Sequence, residues 1–379
     1  MNTNYIYNMR YVLILCLFMA SCSTPIEKAL NSSSPLITRV TDSIDKYEVQ
    51  ILFTQIDSTD SGEVQFTDYS YGLNEQNYFY PASTVKLPVA VLAAEYADAR
   101  EDITLDTPYI IDGDEELHSI SDDLRQIFAV SDNKAYNRLY ELLGRDYINS
   151  RLREKGYTQT TIQHRLATPE AAVNTRKTIQ FFPSYTAESV IITNKEDKDL
   201  IPNNVVGNKK GQGYIENGNL INEPMDFGLK NHFPLQEQHH FIKSLVFPNS
   251  FETSKRLELS ETSRQRVLKA MKTLPRDAKY NQEEYYDSYV KFFMYGDVTT
   301  PIPDNIHIYN KVGFAYGTLT ETAYIEDTQN DIRFILSATI LVNENQIFND
   351  DTYEYEQIGI PFLAQLGREF YEQEKERKE

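Results

Sequence analysis

Eight consecutive apolar residues, Leu87-Pro88-Val89-Ala90-Val91-Leu92-Ala93-Ala94, follow Ser83-Thr84-Val85-Lys86. A helix without a polar face has nothing to offer water, so it must lie inside a core with other layers packed around it. At its start Ser83 and Lys86 stand three apart, a spacing that puts both side chains on one helix face. The loop Phe79-Tyr80-Pro81-Ala82 brings Ser83 to the first turn, where unpaired backbone N–H groups and the helix dipole favour a developing oxyanion. A lysine desolvated against an apolar wall loses its proton more easily, so Lys86 is placed to take the proton of the serine. A nucleophile beside a base points to acyl transfer through a covalent serine ester.

Ser-x-x-Lys by itself is a weak signal, and the chain carries it four times, at Ser43/Lys46, Ser83/Lys86, Ser131/Lys134 and Ser288/Lys291. Ser43/Lys46 lies among carboxylates (Asp42, Asp45) that hold a lysine protonated. Ser288/Lys291 falls in what reads as a Tyr-rich amphipathic helix. Neither is expected to offer a dry pocket.

Two further motifs follow in order. Ser131-Asp132-Asn133 comes after a helix read from Ser121 as its N-cap through Leu124, Ile127, Phe128 and Val130, and so stands in a loop between two helices. Asn310-Lys311-Val312-Gly313-Phe314-Ala315-Tyr316-Gly317-Thr318 closes an alternating strand that includes Ile306, Ile308 and Tyr309. A second Lys-x-Gly, Lys209-Lys210-Gly211, sits in a polar, Gly-rich loop and is discounted. The ordered set S-x-x-K, S-D-N and K-x-G resembles the penicillin-recognising serine hydrolases, most closely the class A β-lactamases.

That resemblance assigns roles residue by residue. Ser83 is the nucleophile, and its N–H with that of Phe314 forms the oxyanion hole. Lys86 is the acylation base, Ser131 passes the proton to the leaving group, Lys311 holds Ser131, and Asn133 binds a substrate amide, with Gly313 beside them on the strand. Between Lys311 and Gly313 the family carries a hydroxyl for the substrate carboxylate; Val312 stands there instead, and Leu319 occupies the place of an arginine. Both changes weaken the case for anionic penicillins. For deacylation the resemblance implies a glutamate four residues before an asparagine. Glu170-Ala171-Ala172-Val173-Asn174 has that spacing, with Arg165 upstream; the same residues also fit an exposed helical turn with no catalytic part.

The formal net charge of −19 leaves no basic stripe for phosphates, so a nucleic-acid partner is set aside. Arg10, the run Val12 to Met19, and Ala20-Ser21-Cys22 read as an export signal too short to span a bilayer. Small residues before Cys22 resemble a lipobox, which implies cleavage there and a lipid anchor at Cys22 in the cell envelope, facing the periplasm or on the outer membrane. No cysteine follows Cys22, so a disulfide within the exported domain and a Cys-based zinc site are excluded. Adjacent His239 and His240 cannot present both rings to one face, and no cofactor or metal is expected. A monomer acting on a small-molecule or peptidoglycan-type substrate is the expected arrangement.

Residues 1–21 read as the signal, 22–35 as a tether and 36–379 as one catalytic domain. Its pattern is a short helix (Leu36 to Asp45), a hairpin (Tyr47 to Ile56, Glu63 to Tyr69), a nearly all-helical stretch from 83 to 156, three strands from 306 to 342 and a terminal helix from about Tyr353. Strands at both ends with helices between them predict a mixed α/β (α+β) fold: an antiparallel sheet built from the two termini beside an all-helical subdomain, as the resemblance also implies. Residues 183–258, with an Asn-Gly hairpin over Tyr214–Ile221, read as an insertion. The expected activity is hydrolysis of a β-lactam or related amide. Alternatives are a D,D-peptidase or amide/ester hydrolase on cell-wall fragments, and a lipid-anchored binding protein that kept the fold and lost turnover.

Overall fold

The computed structural model describes residues 23–59, 61–74, 77–184, 188–194, 196–203 and 205–379. Cys22 and the export signal lie outside the described residues. The chain opens with α1 (Pro25–Leu30) and α2 (Pro35–Thr41), then forms the hairpin β1 (Gln50–Ser58) and β2 (Val64–Tyr71). A tight turn, Ala82–Val85, leads into α3 (Lys86–Asp98). The short β3 (Tyr109–Ile111) precedes α4 (Ile120–Val130), α5 (Asn133–Leu143) and α6 (Arg145–Glu154). Five short strands follow: β4 (Ile179–Phe181), β5 (Val190–Ile192), β6 (Lys209–Lys210), β7 (Gly213–Glu216) and β8 (Asn219–Ile221). After β9 (Met225–Asp226) come α7 (Leu235–Val246) and α8 (Glu261–Lys272). The long strands β10 (Ile306–Ala315), β11 (Thr318–Asp327) and β12 (Ile332–Leu341), the short β13 (Ile347–Phe348) and α9 (Ile360–Lys378) complete the chain.

The expected sheet is present, an antiparallel five-stranded array in the order β10-β11-β12-β1-β2, so the C-terminal meander pairs with the N-terminal hairpin through β1 and β12. Nearly every position of β11 and β12 is buried, because the sheet is covered on both faces. One apolar cluster joins its first face to α3 through α8 and includes Phe241 and Leu245 of α7. The other fills its second face with Phe362, Leu366 and Phe370 of α9 and with Ile26, Ile37 and Val40 of α1 and α2. From Leu87 to Ala94 every residue of α3 is buried, as a helix without a polar stripe requires.

Several expectations need correction. The tether contains α1, whose Thr24 cap and Glu27 close a capping box and whose Ile26 and Ala29 bury against α9, so apolar contact orders this stretch. The N-cap of α4 is Ser119, two residues before the expected Ser121; its hydroxyl accepts from the Asp122 N–H. The supposed helix around Ser288 is a series of turns bracketed by Lys279 and Met294, both with left-handed backbones that interrupt a helix. Within residues 183–258, the Asn217-Gly218 hairpin forms with both residues at positive φ. However, α7 from the same stretch covers the central sheet and belongs to the core.

Candidate active site

Gly313 lies on β10, the sheet edge facing the turn that carries Ser83. A Cβ there would come within 2.5 Å of the Pro81 carbonyl and 3.0 Å of the Ser83 nitrogen, so only glycine lets strand and turn approach this closely. Antiparallel pairing alternates residues whose backbone faces the neighbouring strand with residues whose backbone faces outward. The Val312 carbonyl accepts from Lys311 Nζ at 3.0 Å, which marks the outward register. Two residues on, Phe314 shares it and directs its N–H toward the same edge.

Ser131 takes a left-handed conformation (φ 58°) as the C-cap of α4, and Asp132 caps α5 by accepting from the Ala135 N–H at 2.7 Å. The two caps hold the tripeptide as a rigid corner between helices. Three motifs meet there. Lys86 Nζ lies 2.5 Å from the Ser131 carbonyl, 2.7 Å from Asn133 Oδ1 and 3.2 Å from Ser131 Oγ. Lys311 Nζ donates to the same hydroxyl at 2.8 Å. Both lysines are buried, at 0% and 2% exposure. Burial pushes Lys86 down to about 7 against the opposing pull of Asp132. Burial, followed by Lys86 and Lys291, drives Lys311 well below the ordinary lysine range, and Glu321 resists. A neutral Lys86 has two N–H bonds for its two carbonyl acceptors and keeps a lone pair for a hydroxyl proton.

Ser83, Asn133 and Phe314 open onto a cavity of about 400 Å³ whose wall also includes Tyr80, Tyr316, Tyr353 and Tyr355. Phe314 is 50% exposed, with its ring 5.7 Å from that of Tyr355. Ala82, Ala167, Tyr316, Asn349 and Asp351, all on the cavity wall, have positive φ, as does Ser131 beside it. Backbone strain of this kind persists where surrounding packing over-determines it, and it gathers at functional sites. Val312 and Leu319 are buried in the core beyond the sheet and contribute no group to the cavity.

The structure does not bring Glu170 to Ser83. Arg165 donates to Glu141 at 2.6 Å, to the Val173 carbonyl at 2.8 Å and to the Thr175 carbonyl at 2.9 Å, which pins the loop. Asn137 grips the Leu166 backbone through both its N–H and its carbonyl, each at 2.9 Å. Held this way, the loop presents Leu166 and Ala167 to the Ser83 cavity and turns Glu170 into a separate, solvent-exposed one beside Lys134 and Lys177. Asn174 is engaged by Arg145 at 2.5 Å and by Asp199 at 2.9 Å. Spacing in sequence could not show which side chain of a pinned loop faces inward.

The other Ser-x-x-Lys pairs lie elsewhere. Lys46 pairs with Glu344 at 2.8 Å near the surface, and Lys134 is exposed. Lys291 is the surprise, because it is fully buried and burial lowers it too. Lys210 of the discounted Lys-x-Gly binds Glu48 at 2.5 Å, away from this cavity. Sequence reading missed the tyrosines, Leu166, Ala167, Asn349 and Asp351 as cavity residues; only Tyr80, in the loop before Ser83, and Tyr316, beside the Lys-x-Gly motif, carried a local signal.

The mixed sheet-and-helix architecture, with an antiparallel sheet beside a helical subdomain, is a β-lactamase/transpeptidase-like fold. Residues 35–195 match the model of the Beta-lactamase enzyme family, a span that holds Ser83, Lys86, Ser131 and Asn133 and stops before Lys311. The crystal structure of L2 complexed with relebactam is similar over 92% of this chain and 98% of that one, with a TM-score of 0.52 at 14% identity. A β-lactamase from Sphaerobacter thermophilus DSM 20745 is similar over 92% of this chain and 96% of that one, with a TM-score of 0.49 at 14% identity. No curated protein sequence matches the chain.

Proposed function

We propose that the chain is a class A β-lactamase-like serine hydrolase that forms an acyl-Ser83 intermediate with β-lactams or related amides. The supporting observation is the Ser131 hydroxyl held between Lys86 and Lys311 next to the Ser83 turn. In this reading Ser83 Oγ attacks the amide carbonyl and its proton passes to neutral Lys86. The oxyanion is met by the N–H groups of Ser83 and Phe314. Collapse breaks the C–N bond, and Ser131 delivers a proton to the leaving nitrogen, recovering one from Lys86. Water then cleaves the ester to free acid and Ser83.

Two features shape substrate choice. Val312 and Leu319 offer no donor for a carboxylate, while the aromatic wall and Asp351 favour neutral or cationic acyl groups. In this reading deacylation is slow, because Leu166 and Ala167 line the Ser83 cavity and Glu170 lies in a separate one. That observation favours, as a second reading, a peptidase-like or penicillin-binding enzyme with a persistent acyl state. The protein would be anchored through Cys22 in the cell envelope and act as a monomer. Intact-mass spectrometry after incubation with a penicillin panel and a fluorophosphonate tests the proposal. One stoichiometric adduct on Ser83 supports it; an adduct on another serine, or none, overturns it.

A further inference from the structure

Behind β10 lies a set of buried charges that the acyl-transfer reading does not use. Asn310 and Val312 point to one face of the strand and Lys311 to the other, because neighbouring side chains alternate. Lys291 Nζ donates to Asn310 Oδ1 at 2.5 Å and to the Met271 carbonyl at 2.7 Å. Asn310 Nδ2 donates to the Val290 carbonyl at 2.8 Å and to Glu321 Oε1. Glu321 Oε2 accepts from the Phe293 N–H at 2.6 Å. Lys291 and Glu321 are both at 0% exposure. Burial pushes Glu321 up, and the Phe293 N–H, Lys291 and Asn310 pull it back.

The charge count makes this arrangement consequential. Lys86 and Lys311 meet at the Ser131 hydroxyl, while the buried Lys291 lies behind the strand on Asn310, the neighbour of Lys311 in the chain. Glu321, paired across the sheet with Val312 on the other side of Lys311, is the one fully buried carboxylate among the described residues that acts on both Lys311 and Lys291. Asp132, at the start of α5, acts on Lys86 and also on the partly buried Tyr280. In a low-dielectric interior such charges interact strongly across the strand. We propose that Lys291 and Glu321, joined by Asn310, are positioning residues of the Ser83 centre: this buried pair sets the electric field behind β10 and so decides how a proton is shared between Lys311 and Lys86. Neither side chain reaches the cavity, so the effect operates through Lys311 and the Ser131 hydroxyl.

The inference rests on Ser83 as nucleophile, and it makes a signed prediction for the pH profile of Ser83 acylation. Glu321→Gln removes the negative charge, so the amines lose protons more readily and the acidic limb moves to lower pH by about half a unit or more. Lys291→Met removes a positive charge and moves the limb to higher pH by a similar amount. The double variant returns it close to wild type. Equal loss of rate in both single variants with an unmoved limb, or no change in either, overturns the proposal and leaves the pair a packing element.

Should a variant fail to fold, lysine-selective ¹³Cε NMR of the unmodified chain gives the answer. The proposal requires Lys291 to carry a proton over at least part of the pH range in which Lys86 and Lys311 titrate. A Lys291 that is neutral throughout that range overturns it. Failure of the acyl-serine reading is separately visible as a missing Ser83 adduct, and it leaves the lysine titration unaffected.

Discussion

Ser83/Lys86 and Ser288/Lys291 share a spacing, a fully buried lysine and a downward push on that lysine from desolvation, yet they stand in opposite relations to solvent. Ser83 opens onto a cavity and Lys86 contacts carbonyls and a hydroxyl, with no buried carboxylate bonded to it. Ser288 instead donates a hydrogen bond to the Val298 carbonyl at 2.5 Å, and Lys291 is tied through Asn310 to Glu321. Dryness therefore does not distinguish the proposed nucleophile pair from a structural one. The difference lies in an open path to a ligand and an amine whose charge is left uncompensated.

The sharpest way to break this comparison is to remove each hydroxyl. Ser83→Ala should abolish probe labelling and reduce any hydrolysis by about 10⁴-fold or more, whereas Ser288→Ala should keep labelling within about twofold. Comparable losses in mass-spectrometric labelling would show that the two sites had been misread. Next in size, Lys86→Ala should slow acylation by about 10²–10⁴-fold, the usual range for a general base. With Lys86 present, stopped-flow acylation should rise through pH about 7 and level above it, because only the neutral amine accepts a proton.

Stability separates the lysines in the opposite direction. Lys291→Met strands the buried Glu321 and should cost about 3–5 kcal/mol in urea unfolding, the range seen when one partner of a buried pair is removed. Lys86→Met should be neutral or stabilising at pH 6–7. The folded value of Lys86, about 7, lies below its ordinary 10.5, so its burial penalty is fully present below pH 7 and gone above about 10.5. Any gain in Tm should fade over that window. The smallest effect belongs to Glu170→Ala, which should leave the acyl-enzyme lifetime within about twofold by timed intact mass; a much longer lifetime in the variant would mean the loop refolds to bring Glu170 inward on acylation.

The sheet was legible because β-period alternation in β1 and β10 and the apolar run of α3 leave few ways to bury themselves. That Lys86, Ser131, Asn133 and Lys311 meet beside the Ser83 turn was legible because caps, corners and strand ends confine their side chains to a few directions. Glu170 was misleading for the same local reason, since its spacing to Asn174 carries no information about Arg165 and Asn137, the distant grips that turn it outward. Tyr353, Asp351 and Leu166 had no signal of their own: each lines the cavity only because separate loops arrive at one place.

Local sequence by itself thus determined which segments must be helix or strand, which helix must be buried and which residues could carry acyl-transfer chemistry, because those properties depend on periodicity and on neighbours a few positions away. Only the tertiary structure decided which serine opens onto a cavity, which lysine carries a buried counter-charge and which loop residues line that cavity. Those outcomes depend on the dielectric and on partners far away in the chain, as with Lys291 and Glu321 on either side of Asn310.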